Sequence, residues 1–123
     1  MNLMIQFPKG AVIVRLVKDN ETIPVAEMKF NIDAYAENDD EPVEESLVRL
    51  CSDIEQRVPE AFERVPGMED YEVGDTLRDY LVAGFPIIQG YMRVRKRKSA
   101  ARREEALVRT REELRKVTGR PSR

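Results

Sequence analysis

Ala11-Val12-Ile13-Val14-Arg15-Leu16-Val17 is the stretch on which the fold turns. Its β-branched residues are stiff at χ1 and favour an extended backbone. Val12, Val14 and Leu16 fall on one face of a strand, and Ile13, Arg15 and Val17 on the other. Two largely apolar faces place this strand at the centre of a sheet. Before it, Leu3, Ile5 and Phe7 alternate with Asn2, Met4 and Gln6, the period of two of a half-buried strand. Pro8-Lys9-Gly10 supplies the turn between the two. After it, Asp19-Asn20-Glu21 predicts a hairpin connection. Ala26, Met28, Phe30, Ile32 and Ala34 then point inward, with Glu27, Lys29, Asn31 and Asp33 facing water. Ile23 and Val25 are out of phase with that set, which predicts a bulge near Pro24 to Ala26. The first third of the chain therefore reads as a three-stranded antiparallel meander.

Helical spacing takes over downstream. An acidic loop, Glu37 to Glu41, leads to Pro42, a suitable first helical residue. Val43, Leu47, Leu50, Cys51, Ile54 and Val58 form one amphipathic stripe, with Glu44 and Glu45 in the first turn where the helix dipole favours negative charge. Pro59 is expected to stop this helix or begin the short segment that carries Phe62 and Val65, before the Pro66-Gly67 turn. A second short helix is expected over 75–84, with Leu77, Tyr80, Leu81 and Phe85 on its apolar side, broken or kinked by Gly84 and Pro86. A third runs from Pro86 to about Thr118 and stops at Gly119 and Pro121. At about 1.5 Å per residue it is roughly 50 Å long, more than the preceding body can cover, so it projects or packs on a partner. The expected fold is α+β: an N-terminal three-stranded antiparallel sheet packed by two short helices, then a long basic helix that leaves the body. The divisions are residues 1–85 for an acidic core, 86–118 for a helical arm and 119–123 for a flexible tail.

Composition narrows the chemistry. Hydrophobic residues make up 41% and charged residues 36% of the 123, so the chain is charge-rich yet can build a core. There is no histidine and one cysteine, which excludes imidazole metal sites, Ser-His and Cys-His catalysis, intrachain disulfides and cysteine zinc cages. No phosphate-binding or nucleophile motif is present, so the chain reads as a non-enzyme without cofactor or small-molecule substrate, an acid-only active site being the one arrangement left. Asp75 and Asp79 share a helix face but have no evident pocket. Cys51 lies on the apolar stripe and reads as a core residue. Met1 to Ile5 lacks the features of a secretory signal. No run approaches the roughly 20 apolar residues that cross a bilayer. The expected setting is cytoplasmic, or a larger particle such as a virion.

The net charge of −2 conceals a segregation. Residues 1–92 hold 8 basic and 19 acidic side chains, a net of −11, whereas residues 93–123 hold 13 basic and 4 acidic, a net of +9. Arg93, Arg95, Lys96, Arg97, Lys98, Arg102 and Arg103 put seven cations into eleven residues. On a helix they wrap most of the circumference, and Arg93 repels Arg97 as Lys98 repels Arg102. Three readings follow: docking on an acidic protein surface, including another copy of this chain; nucleic-acid binding through the phosphate backbone; or a solvated helix that binds nothing. Nothing matches a known nucleic-acid-binding motif and no aromatics interleave with the cations, so nucleic-acid contacts are expected to be sequence-tolerant.

Further along, Ala100, Leu107 and Leu114 recur every seven residues, as do Val94, Ala101 and Val108. With Val117, the residues Leu107, Val108 and Leu114 mark a helix-packing interface, either in a short coiled coil or back on the chain's own core. Phe85 to Met92 followed by cations also has the outline of a membrane-surface anchor, though Pro86 and the two glycines favour core packing. The acidic loop has oxygen ligands but neither the spacing nor the glycine of a Ca²⁺ loop. Carboxylates along residues 37–79 are dense enough to imitate nucleic-acid phosphates, although such surfaces ordinarily serve solubility. The functional expectation is an interaction or assembly protein docking through its basic C-terminal helix, on an acidic partner or on itself. The alternative is a nucleic-acid-binding accessory protein using the same helix.

Overall fold

The computed structural model describes residues 1–68 and 71–117, the last of these by its backbone alone. The element order is β1 (Asn2–Gln6), β2 (Ala11–Val17), β3 (Pro24–Asn31), α1 (Ile32–Tyr35), α2 (Val43–Phe62) and α3 (Val73–Val117). The strands form one antiparallel sheet in the order β1-β2-β3, with β2 central. Leu16 pairs with Ala26 but Val17 pairs with Pro24, so Val25 is the extra residue of the expected bulge.

One face of the sheet is covered by helices. Leu3, Val12, Val14, Leu16 and Phe30 contribute its buried side chains. Above them pack Leu47, Leu50, Ile54, Val58 and Phe62 of α2 and Val73, Leu77, Leu81, Ile88 and Met92 of α3. The other face carries Arg15, whose Nε donates to Glu27 at 2.7 Å and whose Nη1 donates to Gln6 at 2.8 Å, cross-strand polar pairing suited to a wet surface.

Three local expectations are corrected. The inward alternation stops at Ile32, because the Asn31 side chain accepts the Asp33 N–H at 3.1 Å and caps the single turn α1; Ala34 is consequently exposed. Pro59 neither stops nor restarts α2, which runs through it to Phe62. Burial of Val58 and Phe62 holds this last turn, and the carbonyl deprived of a donor belongs to exposed Glu55, within reach of water.

The separate helices expected over 75–84 and from Pro86 onward are one 45-residue helix, about 68 Å long. Pro86 and Val82, whose carbonyl it cannot serve, both lie on the exposed side. Gly84 is not a breaker but a gap: a Cβ there would fall 2.1 Å from Cζ of Phe7, whose ring occupies the space. The expected division between residues 85 and 86 thus lies inside a helix whose inner side is buried from Val73 to Lys96. Past the half-buried Ser99 and Ala100, every residue from 101 to 116 is exposed, so the helix projects from the body. The tail expected over 119–123 and the stop signal at Gly119 and Pro121 lie outside the described residues, as does the side chain of Val117.

Candidate functional site

The basic segment of α3 leaves the body beside the acidic loop, and part of it is spent there. Lys96 is 7% exposed, and its Nζ donates to the Asn38 carbonyl at 2.6 Å. Arg103 Nη1 reaches Asp39 at 3.0 Å and Asp40 at 3.4 Å, an arrangement that holds its guanidinium more firmly charged. Arg95 Nε lies 3.3 Å from Asp33 Oδ1. Lys96 is therefore corrected from a partner-binding cation to an internal fastener, since the body already covers its ammonium group. Arg93, Arg97, Lys98 and Arg102 are exposed and form no ion pair among the described residues. Pairing between residues 33–40 and 95–103 spans about sixty positions of chain, and no local pattern announces it.

The acidic loop is itself fixed on α2. The Asn38 side chain accepts the Asp40 N–H at 3.0 Å. Glu41 accepts hydrogen bonds from the Ser46 hydroxyl and from Arg49, whose Nη2 lies at 2.7 Å. Those donors, Arg49 first, pull the Glu41 carboxyl down to about 2. Next to this clasp, Glu41, Glu44, Glu45, Val48 and Arg49 line an open depression of about 400 Å³, with Val48 62% exposed. It is an acidic surface with an apolar centre.

Distal to the body, Leu107, Val108 and Leu114 are 52%, 52% and 58% exposed. Leu114 follows Lys96 by about five helical turns, so it continues the side of α3 that faces the body. Leu107 and Arg111 lie close to the same line, about two turns and one turn before it respectively. The apolar stripe thus has no cover from its own core, which removes the back-packing alternative for Leu107, Val108 and Leu114.

Other candidates carry less. Cys51 is buried, and desolvation with help from Glu55 pushes its thiol up to about 11, leaving no nucleophilic thiolate at neutral pH. Asp75 and Asp79 are both exposed. Among the described residues no cluster of three acidic or cysteine side chains is placed to hold a metal ion, and no helix is long and apolar enough to cross a membrane. Compared with protein-family models, with curated proteins and with solved structures, the chain matches none.

Proposed function

We propose that this chain is a non-enzymatic assembly subunit that associates head to tail with further copies of itself. The projecting end of α3 docks on the acidic surface at the start of α2 in the next copy. The observation that carries this reading is the run of residues 101–116, exposed throughout, with Leu107 and Leu114 on one line. A helix of that length gains little from propensity alone and is ordinarily stabilised by packing an apolar face. Leu107, Arg111 and Leu114 offer two apolar side chains around a cation. Val48 between Glu44 and Glu45 offers the complementary set. The contact of Arg103 with Asp39 and Asp40 shows the same pairing of basic helix and acidic body within one copy. Because the two patches differ, the contact is heterologous and generates rings or open chains rather than a closed twofold dimer.

Light scattering of the intact protein at increasing concentration and at low and high salt tests the proposal. Arg111→Glu and the pair Glu44→Arg, Glu45→Arg should each reduce the assembled mass, and the combined variant should restore it. A protein that stays monomeric under all these conditions, or a combined variant no better than the singles, refutes the reading.

A further inference from the structure

Between the β1–β2 turn and α3 lies a cleft of about 670 Å³, with Lys9, Asp33, Tyr91, Arg95, Lys98 and Arg102 in its walls. Its floor is built from three elements. Gly10 is buried at φ +82°, and a Cβ there would fall 2.9 Å from the Tyr91 hydroxyl oxygen, so only glycine lets that ring lie in place. The Tyr91 hydroxyl donates to Asp33 Oδ1 at 2.7 Å, and the Ile32 N–H donates to the Gly10 carbonyl at 2.9 Å. Turn, α1 and α3 are thereby locked together before any ligand arrives.

Four cations face this space against one carboxylate, and Tyr91 and Arg95 already engage that carboxylate. Lys98 and Arg102 are one turn apart and repel each other, and with Lys9 they form no ion pair among the described residues. Arg95 Nε is buried yet makes no hydrogen bond despite its proximity to Asp33. From Arg95 to Arg102 the helix rises about 10 Å, the length of about three nucleotides of one strand at roughly 3.4 Å each. At the Arg102 end the cleft is open, because residues 101–116 are all exposed. A chain of phosphates can run on there, where a compact ligand would find no enclosure. Tyr91, the one aromatic side chain in its walls, has its hydroxyl committed to Asp33.

We propose that this cleft binds the phosphate backbone of nucleic acid without sequence preference, Lys9, Lys98 and Arg102 supplying the contacts and Arg95 the wall. The site is separate from Leu107, Arg111 and Leu114, and the inference stands independently of head-to-tail assembly. Lys9, which comes from a turn far away in sequence, is what distinguishes a built cleft from a generally basic helix.

Fluorescence anisotropy with mixed-sequence single-stranded and duplex oligonucleotides over a salt series tests this on the full chain. Binding should be salt-sensitive. Lys9→Glu should weaken it, as should the pair Lys98→Glu, Arg102→Glu. The milder Lys9→Gln and Lys98→Gln, Arg102→Gln should lower the salt slope by about one for each cation removed. The charge-matched pair Arg93→Glu, Arg97→Glu on another side of the same helix, and Lys29→Glu on the sheet, should have much smaller effects. All of these side chains are exposed, so circular dichroism should show the native helix content in each variant. The inference is overturned if no oligonucleotide binds at low salt, or if the Arg93/Arg97 pair weakens binding as much as the Lys98/Arg102 pair. It is equally overturned if Lys9→Glu does no more than Lys29→Glu, or if anionic vesicles or inorganic phosphate bind while oligonucleotides do not.

Discussion

Replacing Gly84 by alanine tests why α3 is continuous. In an open helical position Gly→Ala stabilises by about 1 kcal/mol, because alanine loses less backbone entropy. At Gly84 the added methyl falls 2.1 Å from Phe7 Cζ and 2.5 and 2.6 Å from its two Cε atoms, far inside van der Waals contact. The ring must leave or the helix must lift from β1. Overpacking of this kind costs about 1–3 kcal/mol, so the net effect is a loss of about 1 kcal/mol, or roughly 3–5 °C in Tm for a chain of this size. Gly90, in the same helix and with nothing within 4 Å of its hypothetical Cβ, is the matched control. There the same substitution should stabilise by about 1 kcal/mol. In a Phe7→Ala background the clash is gone and Gly84→Ala should become stabilising, a coupling of about 2 kcal/mol between the two positions. Urea and thermal unfolding followed by circular dichroism measure all of these. If Gly84→Ala stabilises with Phe7 present, the packing explanation for this glycine is wrong.

The remaining predictions concern single side chains. Lys96→Met keeps the aliphatic stem but removes the bond to the Asn38 carbonyl, and should cost about 1 kcal/mol in urea unfolding; a neutral outcome would mean that burying the ammonium cancels its bond. Glu41 titrates at about 2 rather than 4.5, so the stability from its clasp is complete above its ordinary value and is lost as pH falls through about 2. Arg49→Met should move its carboxyl titration back upward in an NMR pH series, and an unmoved midpoint would remove Arg49 as the cause. Cys51 should react very slowly with a disulfide reagent at neutral pH and rapidly in denaturant, since burial both hides the thiol and keeps it protonated. Fast native labelling would contradict its place in the core.

The parts of the fold that follow local periodicity were readable from the residues alone. The alternation of Leu3, Ile5 and Phe7, the β-branched run Ala11–Val17 and the phase slip at Val25 each specify backbone geometry within a few positions. The stripe from Leu47 to Val58 does the same for α2. What failed was punctuation. Pro59, Gly84 and Pro86 carry strong local preferences, yet each lies where burial of neighbours outweighs them: Phe62 beyond Pro59, and Leu81, Ile88 and Met92 around the other two. Of the candidate surface, the cation cluster was visible as composition, but its division into fastened and free members was not. Lys96 and Arg103 face residues 38–40, whereas Lys98 and Arg102 meet Lys9 across a cleft.

The amino-acid sequence by itself determined the strands, their order of charge and hydrophobicity, the amphipathic second helix and the separation of an acidic body from a basic arm. These depend on side-chain type and on periods of two and 3.6 residues, which act over short range. Only the tertiary structure decided that the last helix is unbroken, that Asn38, Asp39 and Asp40 hold its base and that Lys9 joins its cations. Those outcomes depend on distances between residues about sixty to ninety positions apart, and such distances exist only once the core has closed.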